Sequence, residues 1–316
     1  MKVLANDGIA TSGVIALENA GYEVLLTTIA QEQLVDYINE NNISVLLVRS
    51  ATKVRKDIID GCPSLKIIGR GGVGMDNIDV AYAREKGLHV INTPAASSHS
   101  VAELVFAHLF GMVRFLHDSN RNMPLEGDSR FKDLKKAYAK GVELKGKTLG
   151  VLGFGRIGQA TAKIALGVGM KVVAFDPYID SANLEVEFFD GQTIFFKIDT
   201  ISKEEVLKQS DFITLHVPAQ DSYVISTKEF DMMKEGASIV NAARGGVIDE
   251  VALVKALESG KISNAALDVF ENEPTPNESI LKHAKISLTP HIGAATYEAQ
   301  ERIGVELAEK LIEALK

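Results

Sequence analysis

Three polar residues in the second half of this 316-residue chain stand just past short β-rich runs. Arg244 follows SIVNAA, Glu273 sits in LDVFENEP, and His291 follows SLTP at the start of a small-residue turn. An imidazole can exchange a proton near neutral pH, a carboxylate beside it can stabilise the imidazolium, and a guanidinium can hold the acidic end of a small substrate. Each is weak alone. Lone histidines are mostly structural or surface groups, and His89, His108, His117 and His283 keep that reading. Arg244 could simply pair with an acid, and Glu273 could be a solvated loop charge. The three gain weight from their shared place, because ligands of open α/β sheets gather beyond the carboxyl ends of the strands. The histidines and the single cysteine, Cys62, show no metal-ligand spacing, so no metal is expected.

Two glycine runs share the spacing G-x-G-x-x-G, one at Gly69, Gly71 and Gly74, the other at Gly153, Gly155 and Gly158. The second has the surroundings a dinucleotide needs. TLGVL reads as a buried strand, RIGQATAKIALG as a helix starting inside the motif, and KVVAFD as the next strand, ending in Asp176. Gly153 permits the turn, Gly155 lets backbone approach a pyrophosphate, and Gly158 lets helix and strand pack closely. The anion would sit on unpaired N–H groups at a helix N-terminus. Asp176 would take the ribose hydroxyls and repel a 2′-phosphate, which favours NAD over NADP. The first run fails this test. Asp76 and Asp79 stand where its helix would begin, and an acid there caps the helix itself and repels phosphate. That loop reads instead as a backbone nest for a smaller anion, such as a substrate carboxylate. A nicotinamide cofactor beside Arg244 and His291 would suit hydride transfer at a carbinol carbon.

The elements that must position these groups alternate strand and helix almost throughout, in two series. The fold expected is α/β, with two doubly wound parallel-sheet domains. SSHSVAELVFAHLFGMVRFLHDSN (97–120) reads as one long helix capped by Ser97 or Ser98. FFDGQTIFF (188–196) breaks the rhythm, and its Asp-Gly pair predicts a local antiparallel hairpin. The net charge of −8 and lack of a long basic run argue against a nucleic-acid partner. No apolar stretch approaches the roughly 20 residues of a spanning helix, so no membrane is expected. One cysteine and no leader signal suggest a cytoplasmic protein.

GFGRIG with Asp176, NAARGG, LDVFENEP and TPHIGA together resemble the D-2-hydroxyacid dehydrogenase family. VRSATKV, GRGGVGMDNID and INTPAASSHSVAE are most similar to its branch that oxidises 3-phospho-D-glycerate to 3-phosphohydroxypyruvate, at the entry to serine synthesis. The resemblance implies a Rossmann-type NAD domain, 96–285, inserted into a flavodoxin-like substrate domain built from 1–95 and 286–316. It implies that Arg244 binds the substrate carboxylate and keto oxygen, with His291 as acid/base and Glu273 behind it. Arg156 and Ile157 would meet the pyrophosphate. Val73, Val217, Pro218, Ala242, Ala243, Asp268, Gly293 and Ala294 would line the cofactor groove. Arg49, Ser50, Gly72 and Val73 would contact substrate, Arg49 through its phosphate. Arg130, Lys132, Lys135 and Lys136 form a basic cluster that could reach a partner subunit, although solvated charge is the plainer reading. The 97–120 region would build a homodimer. Because the chain stops after its last helix, no serine feedback through an appended domain is expected. The rival expectations are a glyoxylate or hydroxypyruvate reductase and an NAD-sensing corepressor.

Overall fold

The computed structural model describes residues 1–315, and the chain divides into two compact units, Met1–Ser100 with Ala294–Lys316, and Val101–Gly293. The first begins β1 (Lys2–Ala5), α1 (Thr11–Asn19), β2 (Glu23–Leu25), α2 (Leu34–Glu40), β3 (Val45–Val48), α3 (Lys56–Gly61), β4 (Ile67–Arg70), α4 (Val80–Glu85) and β5 (His89–Asn92). Its five strands are all parallel, in the order β2-β1-β3-β4-β5, the doubly wound order of flavodoxin-like sheets. Alternate residues feed two cores. Leu4, Leu46 and Ile68 face one side, and Val3, Val45 and Ile67 face the other, which is why these strands are apolar throughout.

A helix, α5 (Ser98–Val113), carries the chain into the second unit, followed by α6 (Leu116–Glu126) and α7 (Phe131–Ala137). The single helix expected over 97–120 is therefore two, bent by 56°. The break sits at Phe115, whose φ of 56° is left-handed, and whose carbonyl accepts the Ser119 N–H to start α6. No glycine or proline marks it. The Phe115 ring instead packs on Tyr138 at 6.0 Å, and Tyr138 donates to Asp118, so tertiary contacts impose the turn. The Ser98 hydroxyl makes no hydrogen bond among the described residues and so is no cap. Among the described residues, no single helix is long and apolar enough to cross a membrane.

The second unit continues with β6 (Thr148–Leu152), α8 (Arg156–Val168), β7 (Lys171–Phe175), β8 (Ser181–Glu187), β9 (Thr193–Asp199), α9 (Lys203–Gln209), β10 (Phe212–Leu215), α10 (Thr227–Met232), β11 (Ala237–Asn241), α11 (Glu250–Ser259), β12 (Ile262–Leu267), α12 (Glu278–Leu281) and β13 (Ile286–Leu288). Its six-stranded parallel sheet runs β13-β12-β11-β10-β6-β7, so the strand order reverses beside β6. That reversal is where an open sheet leaves a crevice for a ligand. β8 and β9 form the antiparallel hairpin, turning at Asp190–Gly191, with Leu184 anchoring it to the core. The last helix, α13 (Tyr297–Ala314), returns to the first unit. Gly13 and Gly304 let it lie against α1, where a Cβ on Gly13 would come within 2.7 Å of the Gly304 carbonyl oxygen.

The divisions fall after Ser100 and after Gly293 rather than near 96 and 285. β13 accounts for the larger shift. Ala265, Ala266 and Leu267 pair with Ile286, Ser287 and Leu288, so this strand completes the second sheet before the chain departs.

Candidate active site

Strand β6 ends in Leu152, and the glycine turn follows. A Cβ on Gly153 would lie 2.6 Å from the His216 carbonyl oxygen, and one on Gly158 would lie 2.1 Å from the carbonyl of Gly153. Both are compelled by close backbone packing, and Gly153 also has φ +92°. Gly155 differs, because a Cβ there would meet nothing within 4 Å. Open space therefore faces the start of α8, and among the described residues the N–H groups of Gly155, Arg156 and Ile157 find no protein acceptor. A pyrophosphate fits that cradle, since it needs bare N–H groups and no side chain in the way. Asp176 stands just past β7. Its carboxylate accepts from the Phe154 N–H at 2.7 Å and the Tyr178 N–H at 2.9 Å, which ties the acid to the turn. Val217 and Pro218 follow β10, and Ala242 and Ala243 follow β11, both alanines buried.

Arg244 is placed by backbone. The Asn241 side chain donates to the Arg244 carbonyl at 2.9 Å and accepts the Ala243 N–H at 3.1 Å, closing a small loop after β11. Its guanidinium donates to the Ala243 carbonyl at 2.6 Å. The next residue links this loop to the one carrying Glu273. A Cβ on Gly245 would sit 1.8 Å from the Phe270 carbonyl oxygen, so only glycine permits the two loops to touch. Glu250 and Glu271 add a reciprocal lock, each carboxylate accepting the other's backbone N–H, at 3.1 and 2.9 Å.

Glu273 accepts from the Phe270 N–H through Oε1 at 3.0 Å, and its Oε2 lies 2.8 Å from His291 Nδ1. A carboxylate accepts only, so Nδ1 carries the proton and Nε2 is left to exchange one with a ligand. Both side chains are partly exposed. His291 has a left-handed φ of 55°, uncommon for a residue with a Cβ, and its loop is clamped from below. The buried Asp268 carboxylate accepts from the Thr289 hydroxyl at 2.6 Å and from the N–H groups of Ile292 and Gly293, both at 2.9 Å. Expected among the groove residues, Asp268 is here the anchor of the histidine loop.

In the first unit, Asp7 accepts the Arg49 and Thr52 N–H groups at 2.6 and 3.1 Å, and Asn77 donates to the carbonyls of Arg49 and Thr52. These bonds fix the loop carrying Arg49 and the exposed Ser50. Gly72 has φ +142°. The Gly72 carbonyl accepts from Thr93 and the Val73 carbonyl from Asn92, while among the described residues the N–H groups of Gly72 and Val73 have no protein acceptor. Asp79 does not cap α4. Its carboxylate takes the Arg55 guanidinium at 2.8 Å instead. Arg70, inside the same GRGGVG run, carries no signal of its own in the sequence; its guanidinium donates to the Gly71 carbonyl at 3.1 Å and packs over Gly72, 1.5 Å from where a Cβ would be. Arg130 is drawn into pairs with Glu126 and Asp133, and Lys132, Lys135 and Lys136 are exposed, which favours solvated charge for that cluster. Ala294 begins the return to the first unit.

A reversed strand order beside an open helix N-terminus, with a carboxylate-backed histidine at the edge of the same sheet, marks a nucleotide-dependent oxidoreductase. Residues 106–293 match the family model described as D-isomer specific 2-hydroxyacid dehydrogenase, NAD binding domain, and the chain belongs to that family of NAD-dependent enzymes. It is 46% identical over 298 residues to a hydroxypyruvate reductase of Thermotoga maritima, covering 93% of this chain and 91% of that protein. It is 42% identical to a D-3-phosphoglycerate dehydrogenase of Methanocaldococcus jannaschii across its whole length, which spans 58% of that protein. Among solved structures, a glyoxylate reductase from Paecilomyes thermophila is similar with a TM-score of 0.80 and 29% identity, covering 100% of this chain and 95% of that one.

Proposed function

We propose that this dehydrogenase oxidises 3-phospho-D-glycerate to 3-phosphohydroxypyruvate. Arg244 binds the carboxylate and the oxygen at C2. His291 takes the hydroxyl proton at Nε2 while Nδ1–H donates to Glu273, so the imidazolium formed is stabilised by a carboxylate already in place. Asp268 keeps the histidine loop in register throughout. Bound NAD supplies the hydride acceptor, and the residues that hold it are Gly153–Gly158, Asp176, Val217, Pro218, Ala242 and Ala243. In the first unit, the Gly72 and Val73 N–H groups receive substrate oxygens and Arg49 receives the phosphate.

The observation that supports this choice of substrate is that the Arg49 stem and the Arg70 guanidinium both lie beside one glycine nest. Arg49 Cγ is 3.7 Å from a Cβ position on Gly71, and Arg70 packs on Gly72. Two arginines beside one nest suit a substrate carrying more negative charge than a single carboxylate, such as a phosphate ester. One observation favours hydroxypyruvate reduction instead. The Thermotoga relative is 46% identical over the matched residues, against 42% for the methanogen phosphoglycerate dehydrogenase. Comparing kcat/KM for 3-phosphoglycerate and D-glycerate tests the proposal. The phosphorylated substrate should be favoured by about 100-fold, and Arg49→Ala should erase most of that preference, as expected for a lost charged hydrogen bond of about 1.5–3 kcal/mol. Equal turnover of the two by the unaltered enzyme would establish the reductase reading.

We also propose a homodimer through the α5–α7 segment, where Phe110, Leu116, Leu125 and Phe131 are large apolar side chains left exposed.

A further inference from the structure

His108 is buried in the apolar helix α5 and belongs to none of the roles above. Both of its ring nitrogens are engaged by hydroxyls of one strand end. Nδ1 lies 2.9 Å from Ser287 Oγ, and Nε2 lies 3.0 Å from Thr289 Oγ1. Thr289 then reaches Asp268 at 2.6 Å, and Asp268 accepts the N–H groups of Ile292 and Gly293, which directly follow His291. The proton directions follow from the carboxylate. Asp268 only accepts, so the Thr289 hydroxyl donates to it and its lone pair must receive from above. His108 therefore carries its proton on Nε2 and accepts the Ser287 hydroxyl at Nδ1. Burial pushes the His108 pKa down, consistent with one proton on the ring. A satisfied buried network of this kind specifies one geometry and is costly to leave half-made.

We infer that His108 is a positioning residue for His291, orienting the Thr289 hydroxyl onto the Asp268 carboxylate that clamps the histidine loop. The inference rests on the reading of His291 as the proton-exchanging group. It acts through two hydrogen bonds and a backbone clamp, touching neither substrate nor cofactor.

Asparagine and glutamine separate the two arms of the imidazole. His108→Gln keeps an amide N–H near the Nε2 position, toward Thr289. His108→Asn keeps an acceptor near Nδ1, toward Ser287, and loses the Thr289 donor. The full chain is assayed with NAD and the better of 3-phosphoglycerate and D-glycerate, each with hydrogen or deuterium at C2. His108→Asn is expected to lower kcat about tenfold, the scale of a sub-ångström misplacement, and to raise the isotope effect on kcat, with KM for NAD unchanged. His108→Gln is expected to keep at least about half of kcat and the original isotope effect. A merely structural role would lower kcat in step with thermal stability and leave the isotope effect alone. Equal kcat and isotope effect in the two variants would overturn the inference. Should either fail to fold, Thr289→Val against Thr289→Ser makes the same comparison, with the hydroxyl-bearing serine expected to retain activity. His291→Asn run alongside tests the underlying reading. If that variant keeps its kcat, the reading of His291 fails, whatever the His108 series shows.

Discussion

At the scale of single residues, the hydrogen bond between Glu273 and His291 does more than hold a ring still. The carboxylate fixes the proton on Nδ1 and offsets the charge when Nε2 gains a second one. Glu273→Gln should keep the bond to the Phe270 N–H but turn an amide donor toward Nδ1, favouring the opposite tautomer. Its kcat should fall about 100-fold with KM for NAD unchanged, as measured by steady-state NADH formation. Arg244→Lys replaces a planar fork with a point charge and should raise KM for the hydroxy acid by about 10- to 100-fold. Much at this scale was legible in the sequence, because Arg244, Glu273 and His291 each follow a strand in a readable motif. Their anchors were not. Asp268 bonds a loop more than twenty residues later, and His108 meets Ser287 across nearly the whole second unit. Such pairings leave no local pattern.

Among the elements, the three glycines of the cofactor turn do separable work. Gly155→Val should leave the melting temperature nearly unchanged, since its Cβ meets open space, while NAD affinity falls by an order of magnitude or more in calorimetry. Gly158→Ala and Gly245→Ala drive a methyl into backbone carbonyls, and each should cost about 1–3 kcal/mol of stability in denaturant unfolding. The glycine turn and the Asp-Gly hairpin were legible because their residues carry local conformational demands. The α5–α6 break was not. Its left-handed residue is a phenylalanine, the helical periodicity runs straight through it, and Pro124 lies inside α6 rather than at its end. The contacts that bend it come from Tyr138.

For the molecule as a whole, two parallel sheets were readable from alternation, whereas the crossings were not. β13 is only three residues long, and its membership depends on pairing with β12 rather than on its own composition. Acid stability is a further property of the whole. Burial lowers the His216 pKa to about 3, and its Nδ1 has no hydrogen-bond partner among the described residues. Below about pH 6.5 the unfolded chain binds a proton there that the folded chain refuses, so stability falls with pH until about pH 3. The slope from this group approaches about 1.4 kcal/mol per pH unit. Thermal unfolding of His216→Leu should show a shallower acid limb than the unaltered protein, and identical limbs would deny the effect. The proposed oxidation requires proton exchange at His291. It is tested most directly by mixing enzyme, NAD and 3-phosphoglycerate and following NADH through the first turnover, for the unaltered chain and for His291→Asn. NADH should form rapidly with the former and about 100-fold or more slowly with the latter, with NAD binding intact. NADH formation by His291→Asn at a rate within a few-fold of the unaltered enzyme would contradict it.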